Sequence, residues 1–229
     1  MPAFFIFLPL VLTTIAWCPE STTALGGAMT FLISFGVMSF LSAVISNMGN
    51  DIQKVYFERW GGAPTTTLLM PESDELDRYT KQRYFKWLNS KIPDLNLLLD
   101  SDDRSDLQQK IRSTTNFLRE YTRDTKKYSA VYRDNVAYGF SRNLVAIRYI
   151  GIAVSIISIM INVGAMFFSA GLWLHSETIS AGGFGPVGIV AMVVSVISMA
   201  LLVFVTNERF VKKRAFRYAR SLYEVCEMG

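Results

Sequence analysis

The stretch YIGIAVSIISIMINVGAMFFSAGLWL, residues 149–174, decides the architecture. It contains no charged side chain, and at 1.5 Å of rise per residue it makes a helix of about 39 Å, more than the roughly 30 Å of hydrocarbon in a bilayer. Two further uncharged stretches, 25–48 and 185–206, give about 36 and 33 Å by the same rise. A fourth, 3–17, reaches only about 22 Å and contains Pro9, so it crosses only if its ends stretch into the interface or the bilayer thins.

Charge is sorted around these stretches. The 229 residues are 51% hydrophobic and 18% charged, against roughly 25% charged in soluble domains. Residues 1–48 carry only Glu20, and 149–207 only His175 and Glu177. This excludes a soluble globular chain, a disordered chain, a secreted disulfide scaffold and a collagen-like fibre. Lysine and arginine stay on the cytoplasmic side of short loops. The connections 18–24 and 175–184 have neither, whereas 49–148 has 17 and 207–229 has 6. The expectation is an all-α membrane protein of four transmembrane helices, arranged as two hairpins with a helical cytoplasmic insert between the second and third. The divisions are a hairpin 1–48, an insert 49–148, a hairpin 149–206 and a basic amphipathic tail 207–229. With four spans both termini are cytoplasmic, with three only the N-terminus moves outside, and the bacterial inner membrane is the expected location. Residues 1–7 lack the basic flank of a signal peptide, and Trp17 is not the small residue a lipoprotein site needs before Cys18. Cys18 and Cys226 fall on opposite faces and cannot pair within one chain.

Small residues mark where membrane helices meet, because close packing and hydrogen bonds, not the hydrophobic effect, bring them together in lipid. Gly151, Ser155, Ser158, Asn162, Ala165 and Ser169 recur every three or four residues and share one stripe. Gly188, Ala191, Ser195 and Ser198 repeat the device, as do Gly36, Ser39, Ala43 and Ser46. Two readings are open for Ser155, Ser158, Asn162, Ser169, Ser195 and Ser198: a helix-packing face, or the lining of a water path in a homo-oligomer. Asn162 is the most informative, since an amide in hydrocarbon must find a partner. No span carries the intramembrane charges or paired Gly/Pro breaks typical of active transporters.

The insert, with 16 basic and 14 acidic residues over 50–143, is a mixed solvated surface, so nucleic acid is not expected as a partner. A short helix is predicted over 51–60, broken by Gly61, Gly62 and Pro64, with 65–70 extended or turning. Ser73 reads as the N-cap of a helix that stops before Pro93. The acidic residues Asp100, Asp102, Asp103 and Asp106 read as helix capping, because Ser105 and Ile111 stand where a calcium loop needs Gly and Glu. From Asp106 a helical pattern runs for some thirty residues, about 45–50 Å, bending near Gly139 and feeding the third span.

Two clusters stand out. Arg59, Gly61, Gly62, Thr65 and Thr66, beside Trp60 and Pro64, have the composition of an anion nest for a phosphate or nucleotide, or of a turn closing the insert. Asn135, Tyr138, Gly139, Phe140, Arg142, Asn143 and Arg148 suit the headgroup level. Lys213, Arg217 and Arg220, flanked by Lys212 and Arg214, line the polar side of an amphipathic tail expected along the inner leaflet or extending the fourth span. No phosphate loop, nucleophile elbow or dinucleotide fingerprint is present, and His175 has no Cys or Ser beside it. The sequence points to no catalytic residue, cofactor or metal.

The segments FERWGGAPTTTLL (57–69) and DNVAYGFSRNL (134–144) resemble those of uncharacterised bacterial four-helix membrane proteins with a charged cytoplasmic insert. The layout is similar to small membrane effectors of antiphage defence systems. That resemblance implies a cytoplasmic domain that senses a signal and spans that open or disrupt the membrane. The expected function is therefore an oligomeric inner-membrane effector or channel-like protein. Its insert would receive a small signalling ligand or a soluble cytoplasmic partner and alter the packing or permeability of the spans. The alternative is an anchor that recruits a soluble partner.

Overall fold

The computed structural model describes residues 2–17, 24–101, 103–173 and 185–228, and the side chains of all of these except 24–38 and 168–173. The connections around Cys18 and His175, and the side chains of Gly36, Ser169 and Trp173, lie outside the described residues. Those described are all-helical, without a strand. The helices are α1 (Pro2–Trp17), α2 (Ala24–Arg59), α3 (Pro64–Thr67), α4 (Arg78–Lys91), α5 (Arg104–Tyr121), α6 (Ser129–Ala146), α7 (Arg148–Trp173), α8 (Pro186–Ala200) and α9 (Glu208–Glu224). The chain divides into two compact units, one of residues 1–50 and 143–207, the other of 51–142 and 208–229.

In the first unit α1, α7 and α8 pack against one another. Two segments, Arg148–Phe167 and Pro186–Val205, are long and apolar enough to cross a membrane, and α1 is apolar but shorter. Their burial is inverted relative to a soluble core. Inside lie Thr13, Ser155, Ser158, Asn162, Ala191, Ser195 and Ser198, while Phe4, Ile157, Met160, Phe167, Val193 and Phe204 face out. The close approach is specified by Gly151, where a Cβ would sit 2.7 Å from Leu202 Cδ1 and 3.0 Å from Ile6 Cγ1. Past α8 the chain makes one π-helical turn, Leu201–Val205, and the Arg148 guanidinium donates to the Val203 carbonyl within it at 2.9 Å. On α2 the predicted seam is displaced: Ser39 and Ala43 are exposed, and Ile45 and Gly49 are buried instead.

The second unit is built around α9. Its Val211, Ala215, Tyr218, Ala219, Leu222 and Tyr223 are buried; α9 packs on α3 and α5, α4 meets the turn Val225–Glu227 that follows it, and Tyr84 of α4 stacks on Tyr223 with ring centroids 6.4 Å apart. The C-terminal stretch, expected along the inner leaflet or extending the fourth span, is a core element of the second unit, its apolar face used within that unit. Tyr223 sits at the centre, donating its hydroxyl to the Thr65 carbonyl at 2.9 Å, with Thr115 Oγ1 also at 2.9 Å. Burial pushes the Tyr223 and Tyr84 hydroxyls up to about 12, and the Cys226 thiol likewise to about 12. Ion pairs surround α9: Arg59 with Glu208 at 3.2 Å, Arg217 with Asp134 at 3.1 Å, and Arg220 with Glu75.

Local chemistry moves several predicted boundaries. The N-cap of α4 is Asp77, whose carboxylate accepts from Thr80 N at 2.9 Å, and not Ser73. Asp103 caps α5 in the same way through Asp106 N. Residues 64–67 form a short helix where an extended or turning segment was expected. The thirty-residue helix is two helices. Asp124 interrupts it, its side chain accepting from Lys126 N and Lys127 N at 2.9 and 3.2 Å, which offers the backbone a turn in place of helix. α6 runs straight through Gly139, and the break before α7 falls at Ile147.

Candidate functional site

The stripe on α7 meets α1 through Asn162. Its amide nitrogen donates to Thr13 Oγ1 and to the Ser158 carbonyl, both at 2.8 Å, and its oxygen accepts from Trp17 Nε1 at 3.0 Å. Ser155 and Ser195 return their hydroxyls to carbonyls one turn back, Gly151 and Ala191, at 2.9 and 2.7 Å, and Ser158 does the same to Val154 at 2.9 Å. Ser155, Ser158, Asn162 and Ser195 are fully buried and Ser198 is 3% exposed. These five lie in the packing seam of a single chain. Ser169 lies among the undescribed side chains.

The nest predicted at Gly61 and Gly62 is not formed. Gly61 (φ +77°) and Gly62 (φ +137°) end α2 in a Schellman arrangement, with Gly61 N donating to the Glu58 carbonyl and Gly62 N to the Phe57 carbonyl. The N–H groups an anion would need are already committed. Arg59 is held by Glu208, which also accepts from Trp60 Nε1 at 2.8 Å. Thr65 and Thr66 are buried. A cavity of about 520 Å³ does open beside Gly61 and Thr66, but its arginine, Arg104, is paired with Glu72 at 2.9 Å.

The basic residues assigned to a membrane surface have closer partners. Arg217 and Arg220 are in ion pairs, Arg148 holds the Val203 carbonyl, Arg214 stands over Phe210 at 4.4 Å and Lys212 over Phe216 at 5.7 Å. Lys213 lines a shallow groove of about 590 Å³ with Lys212, Arg217, Arg220 and Glu75.

Arg142 leads elsewhere, to a polar cavity of about 600 Å³ within the second unit. α6 contributes Tyr132, Asn135, Tyr138, Gly139 and Arg142, spaced along one face; α5 contributes Arg119, and the turn after it Arg123; Gln53 and Tyr218 complete the wall with Thr122, Thr125 and Val131. No carboxylate is among these residues. The Gln53 side-chain oxygen accepts from Tyr138 OH at 2.8 Å and from Arg142 at 2.7 Å. The Tyr138 ring stacks on Tyr218, with centroids 6.2 Å apart and planes 5° apart. Burial pushes the Tyr138 hydroxyl up to about 12 against the pull of Arg142 and Arg119, so it remains a donor at neutral pH. Arg123 makes an exposed bond to Glu120 at 3.3 Å, and the Arg119 guanidinium has no hydrogen-bond partner among the described residues. The cavity thus brings three guanidiniums together in a volume typical of small-molecule sites, Arg123 paired with Glu120 and Arg142 bonded to Gln53.

Asn135, Tyr138, Gly139 and Arg142, which by sequence suit the headgroup level, line this cavity; Arg119, Arg123 and Gln53 carry no such mark beyond the four-residue spacing of Arg119 with Arg123 and of Tyr138 with Arg142. Comparison with protein-family models, with curated proteins and with solved structures finds no match.

Proposed function

We propose that the protein is a membrane-embedded receptor and effector: its soluble helical unit binds an anion in the arginine cavity, and binding changes how α1, α7 and α8 pack. The observation that carries this reading is the cavity itself, whose lining holds Arg119, Arg123 and Arg142 and no carboxylate, with Arg123 also paired to Glu120 outside the lining. Embedding is supported by the inverted burial of the first unit, since large apolar side chains outside and hydroxyls inside suit lipid and are costly in water. Coupling is supported by chain order: α6, which carries Tyr138 and Arg142, is followed after Ile147 by α7, which carries the seam. A repacking seam fits better than a standing pore, because its serines and Asn162 are already bonded. The cavity offers donors and no general base, which fits binding and not turnover.

Four transmembrane helices, cytoplasmic termini, an inner-membrane location, self-association and a role in antiphage defence belong to the same proposal. Trp17, bonded to Asn162, is a native reporter of the seam. In fluorotryptophan-labelled protein, fluorine NMR should show the Trp17 resonance moving when sodium triphosphate is added, and binding with an unmoved Trp17 would contradict the coupling. A second reading, an anchor that recruits a soluble partner, is favoured by the exposed basic groove of α9. Capture of one stoichiometric acidic partner, without any response of Trp17 or of membrane potential to the anion, would select it.

A further inference from the structure

We infer that the basic face of α9 is a docking surface for the anionic headgroups of the bilayer, an inference that rests on the membrane-embedded reading above and reverses the side of the helix that meets lipid. An amphipathic tail read from sequence lays its apolar side on the leaflet, but Val211, Ala215 and Leu222 are buried in the second unit. Arg209, Lys212, Lys213, Phe216, Arg217 and Arg220 share the opposite face and line the groove of about 590 Å³. Some of these charges are already spent. Asp134 holds Arg217 and Glu75 holds Arg220, while Glu208 is taken by Arg59 and Trp60. Arg209 and Lys213 are exposed, with no hydrogen bond or ion pair among the described residues, and Lys212 stands over the Phe216 ring. The first two turns of α9 thus present two bare cations and a third on a ring, and the one carboxylate of the groove, Glu75, is committed to Arg220.

Position along the chain supplies the occupant. Only Thr206 and Asn207 separate Glu208, the first residue of α9, from Val205, the last of the apolar segment Pro186–Val205. Three residues of chain reach at most about 11 Å, close to the Debye length of about 8–10 Å. Where that segment crosses the bilayer, α9 therefore starts within the field of the leaflet, which attracts each lysine or arginine when it is anionic. Phe216, half-buried, gives the groove an apolar floor beneath those cations, the setting in which a lysine stem packs while its ammonium reaches a phosphate. A soluble acidic protein would compete for the same cations with a charged surface that the chain already holds beside them.

The test is native mass spectrometry of the full-length protein released from micelles that contain phosphatidylglycerol and phosphatidylcholine in equal amounts. Expected is a preference for phosphatidylglycerol that falls about fivefold or more in Arg209→Gln with Lys213→Gln, the loss of at least one basic residue at an anionic surface. The melting temperature of that variant in lipid-free micelles should be unchanged, since neither side chain holds another group of the fold. Lys86→Gln with Arg112→Gln removes the same charge from exposed sites on α4 and α5 and should leave the preference as it was. No preference in the unaltered protein, or an equal fall in both double variants, would overturn the docking surface. Capture of one stoichiometric acidic protein, released by Arg209→Gln with Lys213→Gln while the lipid preference stays, would assign the face to a soluble partner and overturn it too. Failure to float with liposomes after an alkaline carbonate wash would overturn the membrane reading itself, whereas flotation without a lipid preference would remove this inference alone.

Discussion

Asn162 is the residue on which the seam turns, because three side-chain hydrogen bonds tie it to its own helix and to α1. Asn162→Leu leaves Thr13 and Trp17 without that partner. The expected cost is about 0.5–2 kcal/mol, the range of interhelical hydrogen bonds in membranes, read as a lower melting temperature in detergent; an unchanged value would show that the bonds contribute nothing. A second residue-scale expectation concerns alkaline pH. The folded unit raises Cys226 from 9.0, and Tyr84 and Tyr223 from 10.0, to about 12. A group held protonated by folding contributes stability that is intact below its unfolded value and is lost as pH climbs toward its folded one. Stability of the second unit should therefore fall from about pH 9 upward, and in Cys226→Ala the onset should move up by about one pH unit. An onset that stays at pH 9 in the variant would exclude the thiol as its cause.

Among the elements, two glycines should respond with opposite signs. Gly61 has open space around it but φ of +77°, so Gly61→Ala should destabilise by about 1–2 kcal/mol through conformation alone. Gly139 has open space and a helical backbone, so Gly139→Ala should stabilise by about 0.5–1 kcal/mol. Chemical denaturation of the two variants reads both. Element-scale chemistry also decides what sequence can disclose. The α7 stripe is legible because helical spacing is local and small residues recurring every three or four positions mark a close-packed face. The Gly-Gly pair has two uses, because the same residues that free N–H groups also end a helix, and here the Glu58 and Phe57 carbonyls accept from them. The break between α5 and α6 left a local signal, Asp124, that a count of apolar residues passes over. The arginine cavity was only half legible, because Gln53, Arg119 and Tyr218 come from separate helices and reach it through tertiary packing.

At the scale of the whole molecule, an amphipathic pattern such as that of α9 does not name its partner. Val211, Tyr218 and Leu222 would suit a leaflet as well as a core, and here they build the core of the second unit. Deleting 208–229 should therefore abolish the cooperative unfolding of that unit, whereas loss of a surface tail would leave it intact. The division of labour between an inverted unit and a conventional one is the central claim, and depth in the bilayer tests it most directly. With a spin label at Met160, 59% exposed on the outer face of α7, in protein reconstituted into liposomes, oxygen should collide freely while a water-soluble nickel chelate should not. A label quenched by the chelate and shielded from oxygen would place α7 outside lipid and contradict the membrane-embedded receptor.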